Sequence, residues 1–399
     1  MIPSPAAPQI RNLVVLGMDP YPWDYPDLAD TVRLMTRYWI GRQRLFLNPP
    51  VGFRRARAQG TPLTVAWRLQ VRGDVVVATP PLEPLPGLPG LRQLRAVWRG
   101  RTLPGVVASV LGRSWREDTL FYCSSAGIRA SHQALGILAP RWSVLDVLDD
   151  NLAFPGFSAI ERADLSSRFA ALARRVTVVV AVSEPLVRRL RDTYGIRAVW
   201  LPNALDLEAF APRADFDAPL PELAGLSRPM VGFVGALTNW LDYELLWKIA
   251  ESPRGCTLVL AGPVLEEQIP APWLDRLRRH PRVAFLGPVP YAQVGHLLHQ
   301  MDLLILPRTY APHSLASDPL KLYEYLATGK PVLSTAIPAA ARFASSVQVA
   351  SDHAQFLAAL ESWEEWAPHK TRPPLEDMSW ARRCRAVLEL VYAASPRHG

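Results

Sequence analysis

The sequence predicts an α/β protein built from two doubly wound parallel sheets in separate domains. Three observations predict it. Short apolar runs alternate with amphipathic stretches along the chain, the pattern of parallel strands joined by crossover helices. The 399 residues exceed what one hydrophobic core serves. A Pro-rich, weakly patterned stretch over 206–229, containing Ala211-Pro-Arg-Ala214 and Ala218-Pro-Leu-Pro-Glu222, separates the two series and reads as a linker. The expected organisation is a first domain over 1–205, the linker, a second domain over 230–378 and a terminal helix over 379–399.

In the first series, strands are expected over 12–16, 44–47, 74–78, 119–123, 143–147, 176–182 and 198–201, with helices between them. The second series opens with Val231-Gly-Phe-Val-Gly-Ala236 and continues through Leu258-Val-Leu-Ala-Gly-Pro263, Val283-Ala-Phe-Leu-Gly-Pro-Val-Pro290 and Asp302-Leu-Leu-Ile-Leu-Pro307. The tail Ser379-Trp-Ala-Arg-Arg-Cys-Arg-Ala-Val-Leu-Glu-Leu-Val-Tyr392 is an amphipathic helix capped by Ser379. Pro80 to Gly90 is a Pro/Leu-rich extended loop.

The segment Ser317-Asp-Pro-Leu-Lys-Leu-Tyr-Glu-Tyr-Leu-Ala-Thr-Gly-Lys-Pro-Val-Leu-Ser-Thr335 follows a buried strand. A helix is expected to open with Asp318 at its cap and Pro319 in its first turn, and to end at Gly329 as a left-handed cap. Free N–H groups and a partial positive charge at such a start suit an anion. Lys321 adds a cation against the helix dipole, where it has no structural reason to be, and Glu324 lies one turn on along the same side. The chain holds 40 Arg but only four Lys (Lys248, Lys321, Lys330, Lys370), and two of the four fall in this segment. A lysine is a compact point charge suited to phosphate in a tight pocket. Lys321 is therefore read as a phosphate contact and Lys330 as a solvated helix-end lysine.

These residues resemble the donor motif of GT-B glycosyltransferases of the GT4 type (glycosyl transferases group 1), in the branch reading Pro-Leu-Lys-Leu-Tyr-Glu-Tyr-Leu-Ala. The strands of the second series and Leu201-Pro-Asn-Ala-Leu-Asp206 resemble the same family. The resemblance implies two Rossmann-like domains facing across a cleft, with the terminal helix crossing back to the first. It implies transfer of a sugar from a nucleoside diphosphate sugar to a hydroxyl of a saccharide or lipid-linked acceptor, with retention of configuration, without metal and without any further cofactor. Polysaccharide, cell-envelope or glycolipid synthesis would be the setting. On this reading Lys321 meets the leaving diphosphate with Arg308 and the helix start at Asp318 and Leu320, and Glu324 holds the ribose. Gly235, Gly262, Pro263, Gly287 and Val289 flank the nucleotide. Two departures stand out. Gly235-Ala-Leu-Thr-Asn-Trp-Leu-Asp242 lacks the family's usual cations, and Ala316 stands where many relatives carry a sugar-contacting Glu.

Asp146-Val-Leu-Asp149-Asp150-Asn151 follows an apolar strand, where carboxylates face a ligand crevice. Three readings compete: a metal-binding Asp-x-Asp of a GT-A enzyme, an acceptor-side group in which Asp149 or Asp150 bonds a hydroxyl, or turn residues. The aromatics of Gly17 to Tyr25 suit stacking on a sugar or packing in a turn. His132 and His313 are read as structural. Two other functions fit the motif: a GT-B nucleotide-sugar epimerase, or a silent nucleotide-sugar-binding subunit of a polysaccharide assembly complex, which the missing cations suggest.

The formal charge of +8 is spread in clusters such as Arg54-Arg55-Ala-Arg57, Arg188-Arg189-Leu-Arg191 and Arg276-Leu-Arg278-Arg279, without the interleaved aromatics of a nucleic-acid surface. Solvated faces, and peripheral contact with an anionic membrane, are the expectations. Three scattered cysteines, no leader pattern and no apolar stretch near the ~20 residues of a membrane helix predict a cytoplasmic protein with buried thiols.

Overall fold

The computed structural model describes residues 9–17, 23, 31–48, 66–81, 89–152 and 158–394. These form two compact units, one holding the described residues up to 202 together with those from 380 onward, the other residues 203–379. Most of the 17–25 loop, the 82–88 part of the Pro/Leu-rich stretch and the Arg54–Arg57 cluster lie outside the described residues. Trp23 is described, and its ring packs edge-on against Phe46 at 5.0 Å.

The first unit carries β1 (Asn12–Leu16), β2 (Gln43–Leu47), β3 (Arg68–Arg72), β4 (Val75–Thr79), β5 (Thr119–Ser124), β6 (Trp142–Val147), β7 (Val178–Ala181) and β8 (Val199–Trp200). Among the described residues they form one sheet in the order β3-β4-β2-β1-β5-β6-β7-β8. Central strands β5 and β6 are buried along their whole length, which is why their sequences are mostly apolar, and the one charge among them, Asp146, is paired. The unexpected strand is β3. It pairs antiparallel with β4 through a turn at Gly73, whose φ of +58° favours glycine. Its sequence Arg-Leu-Gln-Val-Arg is mostly exposed and ends in charge, as an edge strand should be, so it lacks a burial signature.

The helix Trp380–Ala394 packs in this unit. It carries Arg383, whose guanidinium lies 2.7 Å from the Asp146 carboxylate, with side chains 2% and 0% exposed. The Tyr122 hydroxyl donates to the same carboxylate oxygen. Arg383 also donates through Nε to the Pro202 carbonyl at 2.8 Å. All three cysteines are buried, and burial pushes the thiols of Cys123 and Cys384 up to about 12.

The second unit carries β9 (Met230–Val234), β10 (Thr257–Ala261), β11 (Val283–Gly287), β12 (Leu303–Leu306), β13 (Val332–Thr335) and β14 (Gln348–Ala350). Their order is β11-β10-β9-β12-β13-β14, and every pairing is parallel. Residues 206–229, which composition marks as a linker, are packed into this unit. Phe210, Phe216 and Leu223 are buried there, and Phe216 stacks on His296 and meets the His299 ring at a tilt. The prolines of this stretch shape turns, and the apolar residues between them dock on the helix Tyr291–His299. Among the described residues no helix is long and apolar enough to cross a membrane.

Candidate functional site

The order of the second sheet reverses between β9 and β12, which are hydrogen-bonded neighbours although two strands intervene in sequence. Ligands of doubly wound sheets bind at the carboxyl ends of the strands at such a switch point. Three glycines, Gly235, Gly262 and Gly287, end the strands there, and the first two each hand a backbone bond to the next strand. Gly235 N–H donates to Ala261 O, and Gly262 N–H to Gly287 O, both at 2.7 Å. Gly235 and Gly262 are each needed for a different reason. A Cβ on Gly262 would stand 2.1 Å from the Gly235 carbonyl, while one on Gly235 would stand 1.7 Å from Cε of Lys321. The Lys321 side chain therefore lies directly across the Gly235 backbone.

Lys321 belongs to the helix Leu320–Thr328, which ends at Gly329 with φ +71° as expected. Its start differs from the expectation. Pro319 is the N-cap and no side chain caps the helix, because Asp318 is turned inward. The Asp318 carboxylate accepts from Asn203 N–H at 2.8 Å and Tyr323 OH at 2.6 Å, and pairs with Arg342 at 3.1 Å. Asn203 also donates through Nδ2 to the Asp318 carbonyl at 2.7 Å. Asp318 thus anchors the loop, and the N–H groups of Leu320 and Lys321, which have no acceptor within the helix by position, stay uncapped.

The charges behind that start are unsatisfied. Glu324 is 8% exposed and Lys321 partly exposed, yet among the described residues no hydrogen bond or ion pair within 4 Å reaches either side chain. Desolvation lowers the Lys321 pKa, with Glu324 opposing and Arg308 reinforcing the shift. Burial raises the Glu324 pKa, opposed by Lys321 and aided by Asp206. Buried charges without partners are costly, and functional sites are where they concentrate.

Arg308, just after β12, supplies the second cation. Its guanidinium donates to the hydroxyls of Ser317 (3.0 Å) and Ser314 (3.3 Å) and sits 4.3 Å from the Trp240 ring centroid. His313 packs edge-on against the other part of this arrangement, 4.7 Å from Trp240. The loop after β9 that lacks its own cation therefore offers an aromatic platform that holds Arg308. Val289 is partly buried against the core, and Pro263 O accepts from Leu237 N–H at 2.9 Å, so both stand in the strand-end loops. Gly235→Ala tests the arrangement without changing charge. The added methyl, at a φ of +154° that strains any L side chain, must displace Lys321, and an at least tenfold loss of nucleotide affinity, measured by calorimetry below the variant's lowered melting temperature, is the result to look for.

In the first unit, the Asp-rich turn divides into separate roles. Asp146 is tied up in the buried pair with Arg383. Asp150 is buried and pairs with Arg189, a residue read from sequence as part of a solvated cluster. The Arg189 side chain is 40% exposed, and nothing in its local sequence marks the pairing. Asp149 is half-buried and lines a small pocket with Asp150, Asn151, Ser125 and Arg189. His132 is half-buried on the helix Ile128–Leu138.

Residues 228–368 match the model of the family described as glycosyl transferases group 1. A stretch of 164 residues is 30% identical to TuaH of Bacillus subtilis (strain 168), named as a teichuronic acid biosynthesis glycosyltransferase. That match spans 40% of this chain and 40% of TuaH. Among solved structures, Anabaena Alr3699/HepE in complex with UDP-glucose superimposes with a TM-score of 0.64 at 16% identity, over 96% of this chain and 99% of that one. Sucrose-phosphate synthase of Thermosynechococcus elongatus gives 0.62 at 14% over 96% and 97%. The UDP-forming trehalose-phosphate synthase of Burkholderia vietnamiensis gives 0.58 at 13% over 97% and 96%. At these identities the likeness establishes the fold, an α/β pair of Rossmann-like parallel-sheet units of the GT-B type.

Proposed function

We propose that the chain is a glycosyltransferase that moves a sugar from a nucleoside diphosphate donor to a hydroxyl acceptor. The observation that carries this reading is the unpaired Lys321 and Glu324 on one uncapped helix start at the switch point, with Arg308 beside them. A ligand that needs both a cation and a buried carboxylate has an anionic part and a hydroxylated part, and a diphosphate joined to ribose has both. Uridine diphosphate sugar is the donor class we favour, on the likeness to a protein solved with UDP-glucose. The acceptor we favour is a cell-envelope polysaccharide, on the partial match to a protein named for teichuronic acid biosynthesis.

Cleavage of the anomeric bond leaves charge on the diphosphate. Lys321 Nζ, Arg308 and the free N–H groups of Leu320 and Lys321 meet that charge in place before the reaction begins, which is where electrostatic catalysis is strongest. Asp149 is the carboxylate we place toward the acceptor or transferred sugar. The reading includes retention of configuration and independence of metal, since the fixed cations serve the leaving group. Transfer is therefore expected to persist in excess EDTA, and loss with rescue by Mn²⁺ or Mg²⁺ would overturn that part.

Glu324 is the ribose contact in this reading. A carboxylate accepting hydroxyl bonds contributes ~1.5 to 3 kcal/mol, so Glu324→Gln should weaken the donor roughly tenfold or more. A 2'-deoxyribose donor should hardly register the change, because one of the recognised hydroxyls is already missing. Equal losses for both donors would remove Glu324 from the site. The activity itself is tested with radiolabelled UDP-sugar and a panel of glycan acceptors. Label in the acceptor supports transfer, whereas label only in free or epimerised sugar, or bound donor with no turnover, would point to the epimerase or silent-subunit readings.

A further inference from the structure

The C-terminal end of the same helix opens into a different cavity, of about 230 Å³, lined by Leu326, Gly329, Lys330, Ser346, Lys370 and Arg372 among others. Two of the four lysines in a chain of 40 arginines meet here. Three cations share the cavity wall, and no carboxylate is among the described residues that line it. Among the described residues the Lys330 ammonium has no hydrogen bond or ion pair within 4 Å, and its acidic neighbour Asp302 is already paired with Arg228 at 2.5 Å. Lys370 Nζ donates one bond, to Ala344 O at 2.9 Å, leaving two N–H groups. The Arg372 guanidinium lies over Gly329, where a Cβ would stand 2.4 Å from Nη2.

A single lysine at a helix C-terminus is explained by the helix dipole. Three cations around one cavity repel one another, and the dipole does not call for a cavity. An anion with several acceptor oxygens answers both features, since phosphate matches the lysine point charges and the planar guanidinium fork. Lys321 stands in the first turn of the helix Leu320–Thr328 and Lys330 just beyond its left-handed cap, so the helix, about 14 Å long for nine residues at 1.5 Å each, separates the two cation groups.

We propose that this cavity is a second anion site of the chain, binding the phosphate of a phosphomonoester independently of the candidate donor site. Its geometry is local to the second unit and does not depend on the activity proposed above.

The test titrates the full chain calorimetrically with inorganic phosphate and with a hexose 6-phosphate, and separately measures co-sedimentation with vesicles containing phosphatidate. Saturable binding that falls at least tenfold in a Lys330→Gln, Lys370→Gln double variant, but survives in Lys321→Ala, supports the site. Circular dichroism and melting without phosphate should match the parent in each variant. Charge-dependent binding confined to the vesicles supports the site with a lipid headgroup as its source. Absence of saturable binding by any probe, equal binding by parent and double variant, or binding abolished by Lys321→Ala would each overturn it.

Discussion

Lys321→Ala is expected to lower turnover at saturating donor by ~10²-fold or more, the usual cost of removing a group that meets charge developing on a leaving oxygen. The fold should survive, because no hydrogen bond within the described residues depends on the ammonium. The nucleoside diphosphate should also bind more weakly, as Arg308 would then face it with only the helix start. Lys321→Arg should not rescue the loss. The lysine stem runs across Gly235 so closely that even a methyl there would meet it at 1.7 Å, and the guanidinium fork is bulkier and planar. Steady-state kinetics with a calorimetric titration of UDP decides the matter. Parent-like turnover in the alanine variant would show that the leaving diphosphate is not at this helix.

Arg383→Met should have the largest effect on stability. Removing one partner of a buried ion pair leaves an uncompensated charge and costs ~3–5 kcal/mol, a large share of a typical domain's stability. Asp146 would be that charge, 0% exposed, with the Tyr122 hydroxyl its remaining partner among the described residues. Pairing the change with Asp146→Leu should recover part of the loss, since no buried charge remains, with ~1–3 kcal/mol still missing because the Tyr122 hydroxyl loses its acceptor. Urea denaturation of the single and double variants measures both quantities. A loss below ~1 kcal/mol in Arg383→Met would mean that the pair is hydrated in solution.

Much of this protein is written locally. The strands β9, β10 and β12 are unbroken apolar runs because both faces of a parallel sheet are covered, and that pattern needs no partner to be read. Lys321 and Glu324 were legible for a similar reason: helical geometry alone puts residues three apart on one side, and a cation in a first turn is anomalous wherever the helix lies. The three strand-end glycines and the Gly329 cap carry their own backbone signature.

Contacts between distant residues decided the rest. Asp318 looked like a helix cap because Asp before Pro usually is one, but Asn203, 115 residues earlier, and Arg342, 24 residues later, draw its carboxylate inward. Arg189 looked solvated within an arginine cluster until the turn after β6 brought Asp150 to it. The segment 206–229 has a linker's composition, yet Phe210 and Phe216 find a helix to cover. Backbone preference and periodicity act within a turn of helix or a strand's length, so sequence order reports them directly. The partner of a buried charge is set by which chain segments cross at that point, and pairing across a hundred residues leaves no local trace.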